Sequence, residues 1–176
     1  MEQFLRNTMA QYGDTVYRLA LCRLQNIPDA EDVYQDVFLR FLSQDAEDWS
    51  GDHLKFWLIR TTLNRCADVG RFRFRRSTIP LSDVVQTAQT GIDEDAAELW
   101  DAVAHLPVKL RTPLHLHYME GYTTDEIASI LKIPANTVRT RLYRARKRLK
   151  SLLGGCDDEK VISADDETDT CPDRIK

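Results

Sequence analysis

The chain has 176 residues, 43% of them hydrophobic and 30% charged, with a formal net charge of -4. That length suits one domain or two small ones, and no apolar run approaches the roughly 20 residues that span a bilayer, so no membrane insertion is expected. Residues 1–14 lack the basic-then-apolar layout of a signal peptide, and the four cysteines (Cys22, Cys66, Cys156, Cys171) form no CxxC, so a cytoplasmic protein with reduced thiols is expected.

Glycine and proline are scarce, at 7 and 6, and fall between periodic runs. This is the pattern of an all-α protein. Phe4, Leu5, Met9, Tyr12, Val16, Leu19, Ala20 and Leu24 repeat at helical spacing and predict a first helix ending near Asn26. Pro28 and Asp29 open a second, with Asp29 as its cap, Asp32 in its first turn and Val33, Val37, Phe38, Phe41 and Leu42 as its apolar face. A polar segment, Ser43 to Asp52, follows. The third helix is predicted from Leu54 to about Val69, with Leu54, Trp57, Leu58, Thr61 and Cys66 inward and Gly70 interrupting it. Arg71 to Arg76 alternates arginine with Phe72 and Phe74.

Residues 77–91 contain Pro80 and several Ser, Thr and Gln without a helical face, and are expected to be a flexible linker. Periodicity resumes with Ile92, Ala96, Leu99, Trp100, Val103 and Leu106. Pro107 to Leu110 is expected to be a turn. Thr112-Pro113 would start the next helix, which Gly121 ends. Thr123 and Glu126 form an S/T-x-x-E capping box for a short helix whose inward face is Ile127, Ala128 and Leu131. After Ile133-Pro134, Val138, Leu142, Ala145 and Leu149 give one inward stripe on a longer helix. The two read as a helix-turn-helix.

Charge is segregated along the chain. Residues 132–150 hold eight bases and no acid. Residues 157–176 hold eight acids against three bases, 8 − 3 giving net -5, and are expected to be a disordered acidic tail within 154–176. A positive field on an acidic protein points to nucleic acid. The face opposite the inward stripe carries Asn136, Thr137, Arg139, Thr140, Tyr143, Arg144 and Lys147. In a helix-turn-helix, residues near the N-terminal end of the second helix reach base edges and later ones meet phosphates. The second signal is Arg60 to Arg76, six arginines against one acid, interleaved with aromatic rings. Arginines on phosphates and rings under unstacked bases suit single-stranded DNA.

These motifs resemble bacterial sigma factors, specifically the smallest group, the extracytoplasmic-function sigma factors. Asp29 to Leu39 (DAEDVYQDVFL) is similar to the helix that grips core RNA polymerase. Phe56 to Ile59 with Asn64 and Asp68 is similar to the promoter-melting helix. Leu106-Pro107, Tyr118 to Thr123, Glu126 to Ala128 and Thr137 to Arg146 resemble the fourth region. The resemblance covers about Phe4 to Leu153 and implies two small helical domains, residues 1–76 and 92–153, joined by the linker 77–91. It implies that Asp29, Glu31, Asp32, Gln35 and Asp36 face the clamp helices of the polymerase largest subunit, and that the fourth region meets the flap. Asn64, with Trp57, Arg60, Thr61 and Arg65, would lie near the melted minus-ten element. Residues 46–53 match the loop that pockets a flipped base. Arg139, Thr140 and Tyr143, with Arg144, match positions close to the minus-thirty-five duplex. An anti-sigma factor is the regulatory partner the family implies. Asn136 departs from the glycine usual before Thr-Val in the family, and the acidic tail lies outside the common pattern.

A helix-turn-helix regulator working without polymerase is the alternative, and the acidic helix and the arginine-aromatic segment argue against it. An enzyme is not expected, nor a cofactor or a metal. His115 and His117 diverge by about 200° on a helix, His53 and His105 lack ligand-spaced partners, and there is no phosphate-binding glycine loop or nucleophile motif.

Overall fold

The computed structural model describes residues 2–44, 46, 48–76 and 94–154, with the side chains of 73–76 and 94–97 left aside. The expected linker 77–91, the acidic tail, Cys156 and Cys171 lie outside the described residues. Those described form seven helices and no strand: α1 (Glu2–Leu24), α2 (Ile27–Leu42), α3 (Gly51–Arg76), α4 (Glu94–Ala104), α5 (Val108–Tyr118), α6 (Thr124–Leu131) and α7 (Ala135–Leu152). The all-α expectation holds.

Helices α1 to α3 pack around Tyr12, Val16, Ala20, Val33, Val37, Phe38, Phe41, Leu54 and Leu58. Gln25, at φ 50, turns the chain between α1 and α2. The cap of α2 is Asn26 rather than Asp29. The Asn26 side-chain oxygen accepts from the Asp29 amide at 3.0 Å, leaving Asp29 inside the first turn, where its charge favours the helix dipole. The third helix is longer than expected. It starts three residues earlier and runs through Gly70, since one glycine costs a helix only about 1 kcal/mol relative to alanine. Its inward residues also differ. Leu54, Leu58 and Cys66 are buried as expected, while Trp57 and Thr61 are half-buried and Ile59, Thr62 and Leu63 are buried instead.

The second half has two corrections. Residues 108–110 are helical rather than a turn, because α5 begins directly after Pro107 and carries Pro113 in its interior. Of the periodic apolar residues there, Leu99 and Trp100 are 43% and 38% exposed, while Leu106, and Ala102 outside that pattern, are buried. The helix-turn-helix has the expected form. The Thr123 hydroxyl accepts from the Glu126 amide, and the Glu126 carboxylate accepts from the Thr123 amide at 2.8 Å. Lys132 takes the left-handed conformation at the end of α6, at φ 53. Val138, Leu142 and Ala145 are buried under α7 and Leu149 is half-buried, against Leu114, Leu116, Ile127 and Ile130.

This second core is not confined to the second half. Leu19 of α1 and Ile59 and Leu63 of α3 are fully or almost fully buried within it, so the two halves are closed on each other. α3 is apolar on two faces. Leu54, Leu58 and Cys66 serve the first core, and Ile59 and Leu63 serve the second.

Candidate nucleic-acid interface

α7 separates its two faces cleanly. With Val138, Leu142 and Ala145 buried, the side chains of Asn136, Arg139, Thr140, Tyr143, Arg144 and Lys147 are exposed on the other side, and Thr137 is half-buried. Tyr143 is 61% exposed. Arg139 is oriented from two directions. Its Nη1 donates to Asn136 Oδ1 at 2.8 Å, and its Nη2 lies 3.8 Å from Asp125 Oδ1 on α6. Thr140 donates its hydroxyl to the Asn136 carbonyl at 2.9 Å, leaving its methyl outward. Asn136 therefore sits inside the first turn of α7 without displacing the helix start. Arg146 donates to the Tyr118 hydroxyl at 3.4 Å, tying α7 to the end of α5.

The arginine-aromatic surface of α3 is more occupied. Trp57 packs against Phe41 and Trp49, with ring centroids 6.0 and 5.7 Å apart, and so belongs to the edge of the first core. Arg60 lies over the Phe56 ring at 5.4 Å. Thr61 and Asn64 are half-buried on the same stripe, four and seven residues on from Trp57. Arg65 donates to Asp36 of α2 and lies 3.3 Å from Asp68, which in turn holds Arg71 at 2.6 Å. An ion-pair chain thus fixes α3 against α2 and joins two residues assigned from the sequence to different surfaces. Trp49, not singled out from the sequence, lies just before α3 and stacks on His53 in the first turn of that helix at 4.6 Å.

On α2, Glu31, Asp32 and Gln35 are exposed, Asp29 and Asp36 less so. At about 100° per residue all five share one side of the helix, with Asp29 and Asp36 toward one edge of it and Asp36 turned toward Arg65.

The contact between the halves was not visible in the sequence. Glu120, just after α5, has a side chain only 8% exposed. It accepts from the Thr15 hydroxyl at 3.0 Å and pairs with Lys55 at 3.5 Å. Lys55 also lies 4.9 Å from the centroid of the Tyr122 ring. His115 Nε2 faces Glu120 at 3.9 Å, beyond hydrogen-bond range, and burial lowers its pKa against the opposing pull of Glu120. Burial, with Glu120 next, pushes the Tyr122 phenol up to about 12. Arg111 is buried and caps carbonyls on both sides, donating to Ala104 and Leu106 at 2.7 and 3.0 Å and to Arg23 of α1 at 3.3 Å. Burial also raises Cys22 to about 11 and Cys66 to about 12, so neither is a ready thiolate. Among the described residues no group of His, Cys, Asp and Glu is arranged to hold a metal ion, and no helix is long and apolar enough to cross a membrane.

An acidic second helix, an arginine-rich third helix and a C-terminal helix-turn-helix occur in this order along the chain. The profile of Sigma-70 region 2 matches residues 8–78, and that of Sigma-70, region 4, matches residues 96–149. The ECF RNA polymerase sigma factor SigM of Mycobacterium tuberculosis is 34% identical over 141 residues, covering 79% of this chain and 71% of that one. The chain belongs to the extracytoplasmic-function sigma factors. SigW of Bacillus subtilis is 30% identical over 161 residues, covering 81% of this chain and 84% of its own. SigE of Mycolicibacterium smegmatis is 31% identical over 163 residues, and the match spans 63% of that longer relative. Among solved structures, RpoE of Bartonella quintana, in complex with the anti-sigma factor NepR, has the same fold, with a TM-score of 0.75 at 22% identity over 87% of this chain and 98% of that one. CnrH, in complex with the cytosolic domain of CnrY, matches with a TM-score of 0.62 at 24% identity over 87% and 89%. Sigma factors are transcription initiation factors and not enzymes.

Proposed function

We propose that this sigma factor binds core RNA polymerase through the exposed acidic side of α2 and directs it to promoters with two elements, one read as duplex by α7 and one melted along α3. The observation that carries this is the two-faced α7: a buried stripe, Val138, Leu142 and Ala145, holds an exposed face whose Arg139, Thr140, Tyr143 and Arg144 suit base edges and Lys147 a phosphate. The exposed Glu31, Asp32 and Gln35, with Asp29 and Asp36, supply the polymerase contact. Arg60, Thr61 and Asn64 supply the melted-strand contact, with Trp57 and Arg65 as its framework. The functional division is residues 1–76 and 92–153 about the linker 77–91.

Closure of the two halves is incompatible with reading both elements together. Elements centred near minus ten and minus thirty-five lie about 25 base pairs apart, or about 85 Å of duplex at 3.4 Å per pair. A compact body of this size is only about 35–40 Å across. The halves therefore separate on engagement, and the 15 residues of 77–91 reach about 50 Å when extended. The relatives crystallised with anti-sigma proteins support a regulatory partner of that kind for this chain as well.

The test is transcription in vitro by core polymerase over a genomic fragment library, with and without the sigma factor. Start sites that appear only with it and share two upstream elements are the expected result. Duplex binding without polymerase association or new transcripts would favour the polymerase-independent regulator instead.

A further inference from the structure

Phe56 stands at the seam between the two halves. It is half-buried and packs against the second core, to which Ile59 and Leu63 of the same helix belong and against which Tyr122 of the other half also packs. At about 100° per residue, Phe56 lies about 20° from Leu63 and about 60° from Ile59 around α3. On its other side it lies about 40° from Arg60 and about 80° from Asn64. The side chain therefore joins the patch that the second half covers to the stripe proposed for the melted strand. Ile59 and Leu63 meet the second half as aliphatic chains. Phe56 meets it as a ring, and the Arg60 guanidinium lies over that ring at 5.4 Å.

We infer that Phe56 is a further strand-binding residue: the second half covers its ring in the closed molecule, and a base of the melted strand stacks on it once the halves separate. An aromatic side chain accepts any base, because every base has a π face, and an arginine beside the ring adds a cation–π contribution. Arg60 is already in place over the ring. Separation takes the second core off Phe56 and leaves apolar surface in water, which a stacked base covers again. The same side chain cannot serve both partners, so closure and strand binding exclude one another at this residue. A ligand that binds one of two states shifts the population toward it, so a captured strand holds the halves apart. The inference rests on the melted-strand role of α3 and on the separation of the halves proposed above.

The test uses the full chain bound to core polymerase. The probe is a labelled single-stranded oligonucleotide spanning the melted segment of a promoter found in the transcription assay. Phe56→Leu keeps an apolar side chain for the second core and removes the ring. It should weaken oligonucleotide binding about tenfold, while Phe56→Tyr, which keeps the ring, should bind like the unaltered protein. Binding to the upstream duplex element should be the same for all three. Unchanged oligonucleotide binding by Phe56→Leu overturns the inference, as does a loss that Phe56→Tyr shares. Arg60→Ala and Asn64→Ala run beside them. If these weaken binding and Phe56→Leu does not, the strand role of α3 stands and the inference alone falls. If none of the three weakens it, the strand role falls as well. A second arm reads the cover directly, and decides if Phe56→Leu loses duplex binding through a folding defect. In a Phe56→Cys variant, with the unaltered chain as the control for its own cysteines, maleimide should react slowly in the free sigma factor. It should react about tenfold faster on core polymerase, and slowly again once the oligonucleotide is added. Equal rates in the free and polymerase-bound forms overturn the inference.

Discussion

Glu120 and Lys55 form a 3.5 Å ion pair across the boundary between the two halves, with the Thr15 hydroxyl on the same carboxylate oxygen. The Glu120 side chain is almost fully buried, so water does little to weaken the attraction, and hydrogen bonds to a charged group of this kind contribute about 1.5–3 kcal/mol. Glu120→Gln keeps the shape and a carbonyl oxygen for Thr15 while removing the charge. The expected outcome is a shift toward separated halves, read as a larger radius of gyration by small-angle scattering, with helix content unchanged. An unaltered radius would mean that the apolar contact of Leu19, Ile59 and Leu63 holds the halves by itself.

His115 makes the same contact sensitive to acid. Its pKa is lowered by burial, first of all, with Glu120 pulling it up and Arg18 pushing it down. A histidine held neutral in the folded state binds fewer protons there than when unfolded, so stability rises with pH between the folded and unfolded values. It is full above the ordinary value of 6.5 and is lost as the pH falls from there toward the depressed folded value. Thermal midpoints should therefore fall between pH 7 and pH 5, and His115→Asn should flatten that fall. Parallel curves for the two proteins would assign the acid sensitivity to other groups.

The elements nearest to simple periodicity were legible in the sequence, and the contact between domains was not. The capping box at Thr123 and Glu126 and the stripe Val138, Leu142, Ala145 follow from local spacing, and both are found. The start of α5 is not legible locally, because Pro113 reads as a helix opening while the chain tolerates it inside a helix that begins at Val108. The Asn26 cap is masked in the sequence by the stronger helix-opening signal of Pro28 and Asp29, two and three residues later. The contact between the halves is hidden for a different reason. Ile59 and Leu63 were visible as apolar residues on α3, but an expectation of two separate domains left them without a partner. A helix apolar on two faces is the sign that could have found it. Glu120, Thr15 and Lys55 carry no local pattern at all, since their meaning comes from a meeting of residues up to 105 positions apart.

Arg139 and Tyr143 should separate DNA reading from polymerase binding. Arg139 is already held toward the outer face by Asn136, so little order is lost on meeting a base, and a bidentate arginine-base contact is worth about 1–3 kcal/mol. Arg139→Ala should weaken binding to a cognate duplex by about 10- to 100-fold, and Tyr143→Ala by less. Both exposed side chains can be removed without touching the core, so affinity for core polymerase should stay as it was. Equal loss of both activities would point to misfolding. Asn136→Gly adds a finer reading. It frees the Arg139 guanidinium without removing it, and should relax base preference at one position more than it weakens overall affinity.

Asp36 and its neighbours on α2 should behave differently from one another, although the sequence groups them. Asp32 and Gln35 are exposed, so the double substitution to Ala should lower affinity for core polymerase while leaving the thermal midpoint within a degree or so. Asp36 is instead paired with Arg65, which Asp68 and Arg71 extend along α3. The Asp36 side chain is 41% exposed, so screening limits the pair to about 0.5–1 kcal/mol. Asp36→Asn should therefore lower the thermal midpoint by a few degrees and release Arg65 to reorient on the surface proposed for melted DNA. Permanganate footprinting of promoter opening, run beside a polymerase-binding assay, distinguishes the two. D32A/Q35A should reduce opening only in proportion to polymerase binding. D36N should change opening at saturating polymerase. If D36N tracks polymerase affinity alone, Asp36 belongs to the same contact as Asp32, and the link to Arg65 is structural only.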